Sequence, residues 1–358
     1  MKQQNYKTGE QGFSLLELVV AVAVLIVITG AIFSLLRDTI KSSTATLELS
    51  DAQESLRTAQ EYINRDLMYT GDGLNSVSDI LVPQDFVTNY LTLNPVTDPN
   101  TLGIIHLGLI TTDNNVPANT LVRGAVPAVS VRSNPSLTDR ISILQLDRDF
   151  AAIALPANAI NTNTGLVAVS QADINLFTVD EVYLLSSTEG SIFATITDRQ
   201  GVGTATPFLV FATGDALGIN TVGAGSLLDK ITKGATVPTS ISRMKIIHYY
   251  VNSNGLLMRR VFGVRGSGFT ESVIAEPVVS LQLRYFINLK DVNGNMVQPE
   301  AQLTTSKQQT ETKQVEVQLT VETPHTLQNG LRQQMSMTTS TSIRNMQFRQ
   351  SLQPDSGN

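Results

Sequence analysis

Nineteen consecutive residues without a charge, 18–36, constrain this chain more than anything else in it. Arg37-Asp38 stop the run, and a single carboxylate, Glu17, stands just before it, after Gly12-Phe13-Ser14-Leu15-Leu16. As a helix the run spans roughly 28 Å, close to the ~30 Å hydrocarbon core of a bilayer. A helix at the rim of a soluble core keeps a polar outer face. Here only Thr29 and Ser34 interrupt the apolar surface, so the segment fits a membrane. A secretory signal peptide fits less well. The run is long for an h-region, and Gly30-Ala31 is followed by more apolar residues instead of a polar mature chain.

A carboxylate in such a segment costs about 2.5–3.5 kcal/mol at the helix centre on insertion scales, less near an end, and marks function. Glu17 is near the N-terminal end, where the helix dipole favours an anion. A cut after Gly12 would free the α-amine of Phe13, four residues earlier. That cation pairs either with Glu17 of its own helix or with Glu17 of a neighbouring helix, and pairing lowers the cost of burying each charge.

At these residues the sequence resembles the type IV prepilin family, which includes the type II secretion pseudopilins. The family's processing signal is a short basic leader ending in glycine, then phenylalanine, then glutamate four residues on, then an apolar helix. Lys2 and Lys7, Gly12, Phe13, Glu17 and residues 18–36 match each part. The resemblance implies that prepilin peptidase removes residues 1–12, cutting between Gly12 and Phe13, and N-methylates Phe13. It implies that Glu17 serves assembly, and that the partners are other major and minor pilins, met through helix packing. It also sets the topology: leader in the cytoplasm, one pass through the inner membrane, head outside, then a place in a surface pilus. Charge alone does not orient the segment, because Lys2 and Lys7 on one side face Arg37 and Lys41 on the other.

The helix continues past the apolar run. Ala52, Leu56, Ala59, Ile63 and Leu67 recur at steps of three and four, a helical stripe, with Glu61 and Arg65 at i,i+4 beside it. Gly71 and Gly73 end it. Residues 13–70 thus form one helix of roughly 85 Å, which no globular domain buries along its length. Its first half belongs in lipid or against other helices, and its second half packs on the domain C-terminal to it. Gln53-Glu54-Ser55-Leu56-Arg57 and Tyr62-Ile63-Asn64-Arg65-Asp66-Leu67 also resemble the amphipathic segment of PilW-type minor pilins and J-type minor pseudopilins. Arg65 and Asp66 are read there as a cap or bridge to the sheet domain, with no chemical role.

Residues 71–135 read as irregular and turn-rich, with one or two short strands among Ile80-Leu81-Val82, Tyr90-Leu91-Thr92-Leu93 and Ile104-Ile105-His106-Leu107. From residue 136 to 350 the pattern is β: 140–146, 182–185 and 191–197 around Thr188-Glu189-Gly190, 208–212, 244–251 and 256–262 around Asn252-Ser253-Asn254-Gly255, then 278–288, 314–323 and 333–344. Residues 227–230 read as a helical turn, 295–312 as a solvated, mobile loop, and 351–358 as a disordered tail. No strand–helix–strand unit recurs, so the sheet is expected to be mostly antiparallel. The expected fold class is α+β and pilin-like: a long N-terminal helix, transmembrane in its first half, packed on an antiparallel β-sheet head.

The 358 residues carry a net charge of −6. Lys2, Lys7 and Glu10 give the leader +1, leaving −7 for residues 13–358, a balance that argues against nucleic acid as a ligand. With no cysteine, the disulfide-bounded loop of many pilins has no counterpart. His106, His248 and His325 are scattered and offer no zinc motif. The glycine-rich stretch 263–268 precedes a strand, where a phosphate cradle needs a helix. Asp291-Val292-Asn293-Gly294-Asn295 lacks the glycine position and final glutamate of a calcium loop. No catalytic, cofactor or metal residue is therefore assigned. The sequence reads as a minor pilin of a type IV pilus, in a tip or initiation complex supporting assembly, adhesion or twitching. The alternatives are a minor pseudopilin of a type II secretion system, or a membrane-anchored extracytoplasmic binding module with no filament role.

Overall fold

The computed structural model describes residues 14–74, 80–92, 94–95, 103–117, 137–232, 237–264, 268–287, 297–327 and 331–343. It has an α+β architecture, a long N-terminal helix followed by a mostly antiparallel β domain. Helix α1 (Leu15–Met68) runs 54 residues without a break, about 81 Å at the usual rise. No residue from 15 to 51 is buried. Burial begins at the apolar stripe: Ala52, Leu56, Ala59, Ile63 and Leu67 are each at most 4% exposed. Gly71 and Gly73 then turn the chain at φ +70° and +73°. A Cβ there would stand 2.8 Å from Leu109 Cδ1 or 2.7 Å from Leu146 Cδ1, so both conformation and space call for glycine.

The described part of residues 71–135 contributes more to the head than an irregular connection would. They supply β1 (Ile80–Pro83), α2 (Gln84–Tyr90), β2 (Ile104–Leu107) and β3 (Ile110–Pro117). β1 and β2 pair with each other. Tyr90 instead ends a helix, because Phe86, Val87 and Tyr90 fall at helical spacing and bury together, with Phe86 and Tyr90 edge-on to Phe262.

The order continues through β4 (Leu137–Leu146), β5 (Ile153–Ala154), β6 (Ile160–Asn161), β7 (Leu166–Ala168), β8 (Val182–Ser187), β9 (Gly190–Thr195), β10 (Asp198–Gln200), β11 (Phe208–Val210) and α3 (Leu227–Ile231). It ends with β12 (Ser240–Val251), β13 (Leu257–Val264), β14 (Gly268–Ala275), β15 (Val278–Phe286), α4 (Ser306–Glu311), β16 (Gln314–Glu322) and β17 (Gln334–Ser342). β12 joins two halves of the main sheet. Its start pairs with β5 and β8, leading through β9 and β1 to β2; its end lies between β4 and β13, leading to β3 and β14. Among the described strands, every pairing is antiparallel except β1 with β9. β15, β16 and β17 form a second sheet, and β10-β11-β7-β6 a small third. Alternation along β16 turns Val315, Val317, Leu319 and Val321 inward. The larger core lies among α1, the three-stranded sheet and the end of β12, and a second lies around β8, β9 and α3.

The segment 295–312, expected as a solvated loop, is packed where it is described. Leu303 is buried, Glu300 bridges the backbone of Tyr285, and Thr305 and Gln308 cap α4 reciprocally. Gln309 is buried and its Oε1 accepts from the Gly108 N–H at 3.2 Å. One leucine and a T-x-x-Q box fix the segment despite its polar composition.

Candidate functional site: the N-terminal helix and its anchor

Gly12 and Phe13, the residues the prepilin resemblance assigns to processing, lie outside the described residues, as do the leader, 291–295 and the tail 351–358. Glu17 is described, as the third residue of α1. Ser14 caps the helix: its Oγ accepts from the Glu17 N–H at 3.2 Å, while the Ser14 N–H donates to Glu17 Oε2 at 3.1 Å. Ser14 has no role in the sequence-based reading, although S-x-x-E is itself a capping-box signature. The box fixes an anion over the first turn, where unpaired amides and the dipole favour it. Glu17 thus stands in the first turn of the helix.

Beyond Glu17 the apolar run is bare. Leu25 is 61% exposed and Phe33 65%. An exposed apolar surface of this extent marks a membrane or protein contact, and the helix is long and apolar enough to cross a membrane. Beyond this run Ile40 is exposed as well, and residues 15–44 stand clear of the head.

The other end of α1 is locked down. Asp66 is buried, and its Oδ2 accepts from the Tyr249 hydroxyl at 2.6 Å and from Arg259 Nε at 2.7 Å. Its backbone carbonyl accepts from Gln145 Nε2 at 2.8 Å. Burial, then the Asp66 charge, pushes the Tyr249 hydroxyl well above its usual range. Burial works against the Arg259 charge, but Asp66 outweighs it and raises that pKa. The bridge read for Arg65 and Asp66 is therefore made by Asp66; Arg65 lies outside, its guanidinium 4.7 Å from the centre of the Tyr62 ring. Ser55, Gln60 and Asn64 add hydrogen bonds to Glu276, Met337, Thr339 and Thr341.

A second polar group crosses one face of the main sheet. Ser142 on β4, His248 on β12, Arg260 on β13 and Glu271 on β14 stand opposite one another in register. The Ser142 hydroxyl and His248 Nδ1 are 2.8 Å apart. Glu271 Oε1 accepts from the Tyr250 hydroxyl (2.6 Å) and Arg260 Nε (2.8 Å), and Arg260 stacks 4.0 Å from the centre of the Phe269 ring. His248 and Arg260 are fully buried, which suits structural cross-strand bonding and leaves no path for a substrate. Burial, then the Arg140 and Arg260 charges, holds His248 well below its ordinary 6.5. The folded head keeps it neutral while the unfolded chain takes a proton below 6.5. Its contribution is therefore present above 6.5 and lost as pH falls. At about pH 5 the head is expected to be less stable than at neutral pH on account of this group. Thermal melts between neutral pH and pH 5 check this, and His248→Gln should flatten that part of the profile.

Among the described residues no three His, Asp or Glu side chains converge as metal ligands. His106 lies on β2, His248 on β12, and His325 meets Glu48 of α1 at 3.0 Å. Gly263, within β13, and Gly268, the first residue of β14, take positive φ, and the element they lead into is a strand. No family model, curated protein or solved structure matches the chain.

Proposed function

We propose that this chain is a minor pilin of a type IV pilus, of PilW type, with a structural and not a catalytic role. Prepilin peptidase removes residues 1–12 and methylates Phe13. The helix then holds the chain in the inner membrane, head outside the cytoplasm, until it packs against the helices of other pilins in a tip or initiation complex. One observation carries the reading. The Gly12-Phe13-x-x-x-Glu17 signal precedes a 54-residue helix whose residues 15–44 are all exposed. Such a rod needs lipid first and other helices afterwards, and the Phe13 amine with the Glu17 carboxylate gives each helix one cation and one anion to exchange. The size of the head supports a minor subunit, since a large head is tolerated at a tip more easily than along a dense filament. Glu17 argues against the terminal pseudopilin of a secretion system, which usually lacks it.

Shearing surface filaments from cells that make the chain tests this. The protein is expected in the sheared fraction together with a major pilin. Recovery solely from membranes, with filaments present in the sheared fraction, would favour a tethered binding module.

A further inference from the structure

Among the described residues β17 has β16 on one side and no strand on the other. The register fixes which of its backbone groups face outward. Pairing runs without a bulge from Gln314↔Ser342 to Glu322↔Gln334. Just beyond its ends, the Ile343 N–H donates to Lys313 O at 2.8 Å and the Thr323 N–H to Gln333 O at 2.9 Å. Bonded and non-bonded pairs alternate in an antiparallel ladder. Met335, Met337, Thr339 and Thr341 therefore bond to β16, and the N–H and C=O groups of Ser336, Thr338, Ser340 and Ser342 point out from the edge. These four residues are exposed. Natural edges are blunted by charge, proline or a bulge, and the β17 sequence QMSMTTSTS carries none of them.

Helix α1 overhangs this edge and runs in the same direction as β17. Glu48 meets His325 ahead of the strand, Gln60 meets Met337, and Asn64 meets Thr339 and Thr341. The helix flank formed by Arg57, Glu61, Arg65 and Met68, together with Gln60 and Met337, borders a cleft of about 440 Å³. Gln60 is 3% exposed and its Nε2 donates to Met337 O at 2.8 Å. Its Oε1 is buried and accepts no hydrogen bond among the described residues.

We infer that this cleft receives an extended segment of another protein as a fourth strand on β17. The backbone of the added strand meets the outward groups of Ser336, Thr338, Ser340 and Ser342. Alternate side chains fall into the cleft beside Met337 and Met68, and the others continue the Ser/Thr/Gln outer face. The segment that fits alternates apolar with small hydroxyl residues. A second copy fits less well. Antiparallel pairing of two β17 edges would set the two α1 helices in opposite directions, with their apolar ends apart, and both could not enter one membrane. The cleft does not depend on the pilin reading.

Amide hydrogen exchange on the full chain in detergent micelles tests this, with a capped peptide of the same nine-residue length, alternating valine and threonine, as the probe. The peptide is expected to slow exchange at Ser336, Thr338 and Ser340 by about tenfold or more, leaving the already slow Met337 and Thr339 unchanged. Thr338→Pro and, separately, Ser340→Pro each remove one outward N–H and spare the β16 ladder, so each should abolish the slowing with a near-unchanged melt. Three results would overturn the inference: no slowing at millimolar peptide, outward amides already slow in dilute peptide-free protein, or slowing that follows protein concentration without peptide. The last would assign the edge to a second copy.

Discussion

Asp66→Ala is expected to lower the stability of the folded chain by about 3 kcal/mol or more and to loosen the last third of α1. The side chain is buried and holds two groups from one hairpin, the Tyr249 hydroxyl on β12 and Arg259 on β13. Removing it strands a largely buried guanidinium with no compensating anion at that position. That penalty exceeds the net worth of the pair, because the desolvation of Arg259 remains while the attraction is gone. Tyr249→Phe removes one neutral donor and should cost only about 1–2 kcal/mol. Denaturant unfolding gives the magnitudes, and amide exchange along residues 52–68 shows whether the helix is what loosens. A loss under about 1 kcal/mol for Asp66→Ala would mean that the apolar stripe alone docks the helix.

The second large effect concerns Glu17. Under the proposed function, Glu17→Val is expected to leave processing and membrane residence intact and to reduce co-purification with pilins by about tenfold or more, since roughly 1.4 kcal/mol per contact suffices for that. The capping box makes a sharper experiment available. Glu17→Gln keeps an acceptor for the Ser14 N–H but carries no charge. If the carboxylate acts by pairing with the Phe13 amine, Gln fails as Val does. Ser14→Ala, which loses the cap at a cost of about 1 kcal/mol but keeps the charge, should still co-purify. If Gln behaves as wild type, the carboxylate serves the cap and the amine pairing is wrong.

Local periodicity made much of this fold legible. The stripe Ala52, Leu56, Ala59, Ile63, Leu67 is the buried face of α1, and the Asn252-Ser253-Asn254-Gly255 turn does join β12 to β13. Elements whose order depends on distant partners were harder to read. The β1–β9 parallel contact and the change of neighbours along β12 join segments far apart in sequence, and no local pattern encodes them. The same holds for Asp66, whose partners lie 183 and 193 residues away. The 295–312 segment looked solvated because its composition is polar, yet Leu303 and the α4 cap hold the described part in place. At the candidate site, Glu17 stands out as the single carboxylate just before the apolar run, while Gly12 and Phe13 carry meaning through the prepilin resemblance alone. Ser14 was within reach of its spacing to Glu17.

The most direct measurement is the intact mass of the chain extracted from membranes of cells that make it, with mapping of its N-terminal peptide. A chain that begins at N-methylated Phe13 is the predicted result, and it would establish prepilin processing. A chain that keeps residues 1–12 would contradict the account, leave residues 18–36 as an ordinary anchor, and return the β head to the role of a tethered binding domain.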